Sequence, residues 1–180
     1  MNNTIVIYES KYGHTARYAT WIAESLSCPL IERKKVTSSA LENADTIIYG
    51  GGLYAGGVSG IKLLMENWEL ICNKKIAVFT CGLASPSEQA NVAHIREAIA
   101  QVIPADMLEK ITLFHLQGGI DYSRLSLVHK AMMGMLRKML LKKPEKELTS
   151  EDKQLLSTYG GMVDFCNKES IGDVVAWGRK

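Results

Sequence analysis

Short apolar runs rich in β-branched residues, each too short for a helix, recur along the 180-residue chain at 4–8, 45–49, 75–80 and 111–116, with a weaker one at 29–32. Between them, 14–26, 59–72 and 87–102 place Ala, Ile, Leu or Met three and four positions apart, which is helical spacing. Strand therefore alternates with helix, and this alternation constrains the fold more than any other feature. It predicts a parallel sheet covered by helices on both faces, with right-handed crossovers. The fold class expected is α/β: one doubly wound, five-stranded parallel sheet in order 2-1-3-4-5. Ser39 with Glu42, and Ser85 with Glu88, have the spacing at which a hydroxyl and a carboxylate cap a first turn reciprocally. A chain of this length that is 47% hydrophobic can build one domain over residues 1–180.

One stretch exceeds the minimal pattern. Residues 117–149 separate the last expected strand from a final helix expected to start near Ser150, so they read as an insertion. Its middle, 125–143, is helical by spacing and carries Met132, Met133, Met135 and Met139 beside Arg137, Lys138, Lys142 and Lys143. From Asp121 to Lys146 there are seven basic residues against two acidic, a local +5 within a total of +2, which leaves the remainder slightly acidic. A net charge this small argues against nucleic acid as a partner.

The four cysteines, Cys28, Cys72, Cys81 and Cys166, form no C-x-x-C pair and suggest a reducing, cytoplasmic setting. The chain enters its first apolar run without a basic leader or a cleavage site, so no secretion signal is expected. No apolar run approaches the roughly 20 residues that span a bilayer. Membrane contact would be peripheral.

In an open parallel sheet the ligand lies beyond the carboxyl ends of the strands, where the strand order reverses. After the first strand comes Ser10-Lys11-Tyr12-Gly13-His14-Thr15, which gathers hydroxyls, a glycine and a helix start. Backbone N–H groups there, with the Ser10 and Thr15 hydroxyls, would suit a phosphate; an ordinary capped turn has the same ingredients. After the third strand, Gly50-Gly51-Gly52-Leu53-Tyr54-Ala55-Gly56-Gly57 reads as a glycine-dense loop with Tyr54 placed to meet a flat ligand. Its first six residues match G-x-G-x-x-G/A, but the dinucleotide fingerprint belongs to a first strand and runs straight into a helix. After the fourth strand, Thr80-Cys81-Gly82-Leu83 offers small residues that let backbone approach a ring, and Gly118-Gly119 does the same after the fifth. Cys81 without a paired thiol or neighbouring base reads as a small buried residue. His14, His94, His115 and His129 have no metal-ligand spacing, so no metal is expected. A phosphoacceptor receiver would need acids after strand one and an aspartate ending strand three, where this chain has Glu9 and Tyr49-Gly50. The P-loop pattern G-x-x-x-x-G-K-[ST] is absent.

Ser10-Lys11-Tyr12-Gly13-His14-Thr15 resembles the flavodoxin phosphate motif [TS]-x-[TS]-G-x-T, departing from it at Tyr12, where the family has a small hydroxyl residue. The strand pattern is similar to a flavodoxin-like domain over nearly the whole chain. The resemblance implies FMN, its phosphate on residues 10–15 and its isoalloxazine between Leu53–Gly56 and Thr80–Leu83. Gly118-Gly119-Ile120-Asp121-Tyr122-Ser123-Arg124, leading into the basic, Met-rich helix, resembles the menaquinone-dependent protoporphyrinogen dehydrogenases. That second resemblance implies FMN-mediated removal of hydrogens from a tetrapyrrole and delivery of electrons to a quinone. No side chain need then act as acid or base, because the flavin carries the chemistry. Tyr122, Arg124, Arg137 and Lys138 are the candidates for contact with substrate carboxylates or a membrane surface. The same helix could simply cover the sheet edge. Two other readings use the same cofactor: an electron carrier with redox partner proteins and no substrate of its own, and a general NAD(P)H- or quinone-linked FMN reductase. Loss of the flavin altogether is a third alternative, motivated by Tyr12.

Overall fold

The computed structural model describes residues 3–54 and 57–180. The chain runs β1 (Thr4–Glu9), α1 (His14–Leu26), β2 (Leu30–Glu32), α2 (Ser38–Asn43), β3 (Thr46–Tyr54), β4 (Gly57–Val58), α3 (Lys62–Glu66), α4 (Trp68–Ile71), β5 (Lys75–Gly82), α5 (Gln89–Ala100), α6 (Ala105–Leu108), β6 (Ile111–Gln117), β7 (Gly119–Asp121), α7 (Leu127–Leu140), α8 (Ser150–Thr158), β8 (Met162–Asp164) and α9 (Gly172–Arg179). The main sheet has the order β2-β1-β3-β5-β6, its five strands parallel, with the short β4 antiparallel against β3. Counting the parallel strands alone, this is the expected 2-1-3-4-5.

Side chains alternate across the pleat, and both faces are covered. Ile5, Ile7, Ile47, Tyr49, Ile76 and Val78 face Leu41, Leu64, Ile71 and Ile99 from the helices between α2 and α5. Val6, Ile48, Ala77 and Phe79 face Tyr18, Ala19 and Ile22 of α1 and Val174 and Val175 of α9. This double burial explains why the strands read as continuous apolar runs.

Four local expectations are corrected. Gly50, Gly51 and Gly52 belong to β3, not to a loop, and pair in register with Tyr8, Glu9 and Phe79 to Cys81. They are needed for space: a Cβ on Gly50 would stand 2.1 Å from Phe79 Cζ. The helix expected over 59–72 is broken into α3 and α4 at Asn67, whose side-chain amide donates to the Leu63 carbonyl. Neither expected capping box forms. The cap of α2 is Thr37, two residues early, and α5 begins after Glu88 with no side-chain cap. The one capping box among the described residues joins Thr149 and Asp152 at the start of α8.

The helix beginning at Ser150 is also not the one that completes the sheet. It is α8, the second helix of the excursion, whose ends are clipped together where β7 pairs antiparallel with β8. The chain then re-enters the main fold, and α9 packs on α1. Tyr18 of α1 fastens this return, donating to the Gln117 carbonyl at 2.7 Å and accepting the Asn167 N–H at 3.1 Å. The excursion has its own small core, in which Leu125, Leu140 and Leu155 are buried and Tyr122 packs against Tyr159 at 4.9 Å.

Candidate functional site

At the end of β1, where the strand order reverses, Gly13 takes a left-handed conformation (φ 100°) and leads into α1. Ser10 Oγ accepts the Gly13 N–H at 3.0 Å, closing the turn. No side chain caps α1, and its first turn contains no acidic residue. The amides of that turn have no intrahelical acceptor, and they sit at the positive end of the helix dipole. Thr15 is buried, with its hydroxyl beside the Cys81 thiol. This arrangement leaves donors directed at a small anion and no competing side chain, which fits a phosphate.

Adjoining the turn is a cavity of about 370 Å³, within the usual range for cofactor and ligand sites. One side is made by Ser10, Tyr12, His14 and Thr15, by Leu53 and Tyr54 of β3, and by Cys81 to Ala84 after β5. Gly118 and Gly119 close that side with backbone; a Cβ on Gly118 would stand 2.7 Å from Cys81 Sγ. The opposite side comes from α5 (His94, Ile95, Ala98) and from the excursion (Leu125, His129, Met132, Met133, Leu136, Glu151, Leu155). Leu53 packs directly on Gly82, so the ends of β3 and β5 touch there; the cavity is lined beyond them by α5 and α7. A second cavity, of about 390 Å³, lies on the other side of Ser10, Tyr54 and His129 and is charged, lined by Glu9, Lys11, Glu32, Arg33 and Lys34.

Eleven of the expected residues therefore line the first cavity: Ser10, Tyr12, His14, Thr15, Leu53, Tyr54, Cys81, Gly82, Leu83, Gly118 and Gly119. Lys11 lines the second. Gly13, Gly52 and Thr80 support the site from behind: Gly13 by its turn, Gly52 by lying against the Tyr54 ring, and Thr80 by bonding His115 Nδ1 at 2.8 Å. Ala55 and Gly56 lie outside the described residues. Tyr122 is buried in the excursion and does not line the cavity; Arg137 lies over the Tyr159 ring, and Arg124 and Lys138 are exposed outside it.

Of the wall from α5 and the excursion the sequence marks only the Met-rich helix over 125–143, as a surface for an apolar substrate or a membrane; Ile95, Ala98, Glu151 and Leu155 were not singled out. Its signal was present as the three- and four-residue spacing of His94, Ile95 and Ala98, and of Leu125, His129, Met132, Met133 and Leu136. Spacing identifies a face but not what the face borders.

Burial controls the titratable groups here. The Cys81 thiol is pushed up to about 12 by burial, with Cys166 adding and Thr15 opposing, so it is not a nucleophile at neutral pH. The Tyr54 phenol is likewise raised to about 12, mainly by burial. His14 is lowered by burial, opposed by Asp164 and reinforced by Arg17 and Arg124. His14, Asp164 and Cys166 bring three potential metal-ligand atoms within 4.8 Å of one another. Asp164 is already committed, however: its carboxylate accepts from Arg17 at 2.7 Å and from the Cys166 N–H at 3.0 Å. A cation there would have to displace a guanidinium.

Residues 5–147 match the family model described as Flavodoxin domain. The chain belongs to that family. Among solved structures it is similar to a flavodoxin from the domain Archaea, at 15% identity over 86% of this chain and 94% of that one, with a TM-score of 0.41. It is also similar to oxidised flavodoxin 2 from Bacillus cereus, at 16% identity over 96% of this chain and 99% of that one, with a TM-score of 0.43. A WrbA-like flavodoxin protein from Agrobacterium tumefaciens shares 23% identity over 59% of this chain and 88% of that one, with a TM-score of 0.41. No curated protein matches the chain. The cofactor of this flavodoxin-domain protein is FMN. The residues fit it, for the uncapped α1 terminus suits its phosphate and the strand ends border a cavity of cofactor size.

Proposed function

We propose that the protein is an FMN-dependent oxidoreductase acting on an apolar, ring-shaped small molecule of the protoporphyrinogen IX type, with electrons passed on to a quinone. The observation that supports this reading is the second wall of the cavity. An electron carrier has no need of a second apolar wall facing its cofactor, yet here Ile95, Leu125, Met132, Met133, Leu136 and Leu155 build one, half open to solvent, from α5 and the excursion. FMN, when bound, supplies the capacity to accept hydrogen from a substrate and to return electrons to an acceptor.

The chain's own residues then have three tasks. Residues 10–15 hold the phosphate through backbone N–H groups and the Ser10 and Thr15 hydroxyls. Leu53, Tyr54, Gly82, Leu83, Gly118 and Gly119 place backbone and apolar side chains against the ring, and the excursion excludes water and receives the substrate. Methionines suit that last task because their flexible, polarisable chains adapt to an irregular apolar shape. Arg124, whose charge reaches His14 and Asp121, stands at the edge for a substrate carboxylate.

No helix among the described residues is long and apolar enough to cross a membrane. The outer face of α7 exposes Val128 (67%), Met135 (67%) and Met139 (54%) next to Lys138 and Lys142, a surface suited to lying on anionic lipid. Through residues 125–143 the excursion would then draw both an apolar substrate and a quinone from the bilayer.

The test is in two steps. Added protein should quench free FMN fluorescence stoichiometrically. The loaded protein should then oxidise protoporphyrinogen IX anaerobically only when a menaquinone analogue is supplied. Loaded protein that fails to turn over, yet is reduced rapidly by a ferredoxin reductase, would make it a carrier instead.

A further inference from the structure

Three rings from three segments meet at the boundary between the two cavities. Tyr12 comes from the turn after β1, Tyr54 from the end of β3 and His129 from the first turns of α7. The His129 imidazole is stacked on Tyr54, with centroids 5.5 Å apart and planes inclined by 21°. Tyr12 meets both edge-on, at 6.1 Å from Tyr54 and 5.7 Å from His129. Its hydroxyl bonds His129 Nδ1 at 2.7 Å and accepts the Ser126 N–H at 3.4 Å. Tyr54 also lies against Gly52, where an added Cβ would stand 2.7 Å from its Cε2.

The Tyr54 face toward α7 is thus taken by His129, while Gly52 lies against the Cε2 and hydroxyl end of the ring. A flat ring inserted between two others needs them about 7 Å apart, two contact layers of about 3.5 Å each. The 5.5 Å separation between Tyr54 and His129 leaves no room for one. Any planar ligand that stacks on that face of Tyr54 must therefore take the place of the imidazole. Tyr12 supplies the holding force. It occupies the position at which the phosphate motif has a small hydroxyl residue, and its own hydroxyl is spent on α7.

We propose that His129 is an internal substitute for the cofactor ring: it competes for the face of Tyr54, and Tyr12 latches it there. The inference rests on the reading that the planar ligand is FMN. Loading the site and releasing the first turn of α7 are then one equilibrium, and each must influence the other by the same factor. The apparent affinity for FMN is reduced by the fraction of molecules in which His129 sits on Tyr54. Release of His129 also removes the partition between the charged cavity and the apolar one, both of which it lines.

FMN titrations followed by fluorescence quenching test this with His129→Ala, Tyr12→Phe and Val128→Ala. Val128 is on the exposed face of α7 and serves as the control. His129→Ala should bind FMN about fivefold or more tightly than the parent, in the range of ordinary coupling factors. Tyr12→Phe, which loses the hydroxyl and keeps the ring, should tighten binding by a smaller factor, and Val128→Ala should leave it unchanged. In the parent protein, FMN should speed hydrogen exchange at the Ser126 and His129 amides. Weaker or unchanged binding by both His129→Ala and Tyr12→Phe, or greater protection of those amides by FMN, overturns the substitution. Parent and variants that all fail to bind FMN overturn the cofactor reading itself, and the inference with it.

Discussion

The wound sheet and the excursion are both rich in apolar side chains, isoleucine in the strands and leucine and methionine in the excursion, yet they use them in opposite ways. In the sheet, Val6, Ile7, Ile47 and Ile48 are fully covered from both sides, and the chain has no freedom to place them otherwise. In the excursion Tyr122, Leu125, Leu140 and Leu155 are buried, whereas Leu127 is 84% exposed and Met135 67%. The contrast assigns the tasks. On the proposed function the sheet provides stability and the cofactor edge, while the excursion provides the apolar wall that would meet the substrate.

The largest difference should appear on truncation. Ile48→Ala removes a fully buried side chain facing α1 and α9 and should cost about 2–5 kcal/mol in urea denaturation. Met135→Ala, on the outer face of α7, should stay within about 0.5 kcal/mol. Equal losses at the two positions would erase the distinction.

Glycine gives a second test. Gly50→Ala drives a methyl into the Phe79 ring in the middle of the sheet and should cost about 1–3 kcal/mol. Gly134→Ala, in the middle of α7, meets nothing closer than the Tyr159 hydroxyl at 3.4 Å and should be neutral or gain up to about 1 kcal/mol from helix propensity. Thermal melts of the pair measure the sign directly.

Leu136→Asp places a charge in the excursion's wall of the cavity. We expect the FMN dissociation constant to remain within about twofold and kcat/KM for an apolar substrate to fall at least about tenfold, equivalent to about 1.4 kcal/mol. A parallel loss of FMN affinity would mean that the two walls do not divide the work.

The effect that is smallest at neutral pH is on pH dependence, and it belongs to the sheet. His115 of β6 is lowered to about 4 by burial, with Arg96 adding to the shift. Between its unfolded value near 6.5 and 4 the unfolded chain binds the extra proton, so stability is full above 6.5 and is lost as pH falls toward 4. His115→Asn should flatten that part of the stability profile while leaving the excursion's helicity unchanged.

The sheet was legible because burial on both faces writes itself as continuous apolar runs, and helical cover as three- and four-residue spacing. Gly50 to Gly52 were misread as a loop because glycine is usually a sign of unusual φ; here Phe79, Val58 and Tyr54 need the room, and such packing partners are distant in sequence. Ser150 was a true helix start, but a cap cannot say whether its helix belongs to the sheet or to an excursion. That is decided by the β7–β8 pairing, between strands of three residues each, too short to produce a pattern. The turn proposed to hold the phosphate was legible through Ser10, Gly13 and Thr15, all local. The second wall was legible only as the Met-rich helix over 125–143, because His94, Met133 and Leu155 share a surface only after the chain has folded.

The central claim is that FMN and an apolar substrate share one cavity divided between sheet and excursion. Anaerobic mixing of the FMN-loaded protein with protoporphyrinogen IX, followed by visible absorbance, tests it most directly. The account predicts that the flavin band bleaches in the parent and persists in Leu136→Asp at equal FMN occupancy. A band that persists in the parent, or that bleaches equally fast in both, would contradict it.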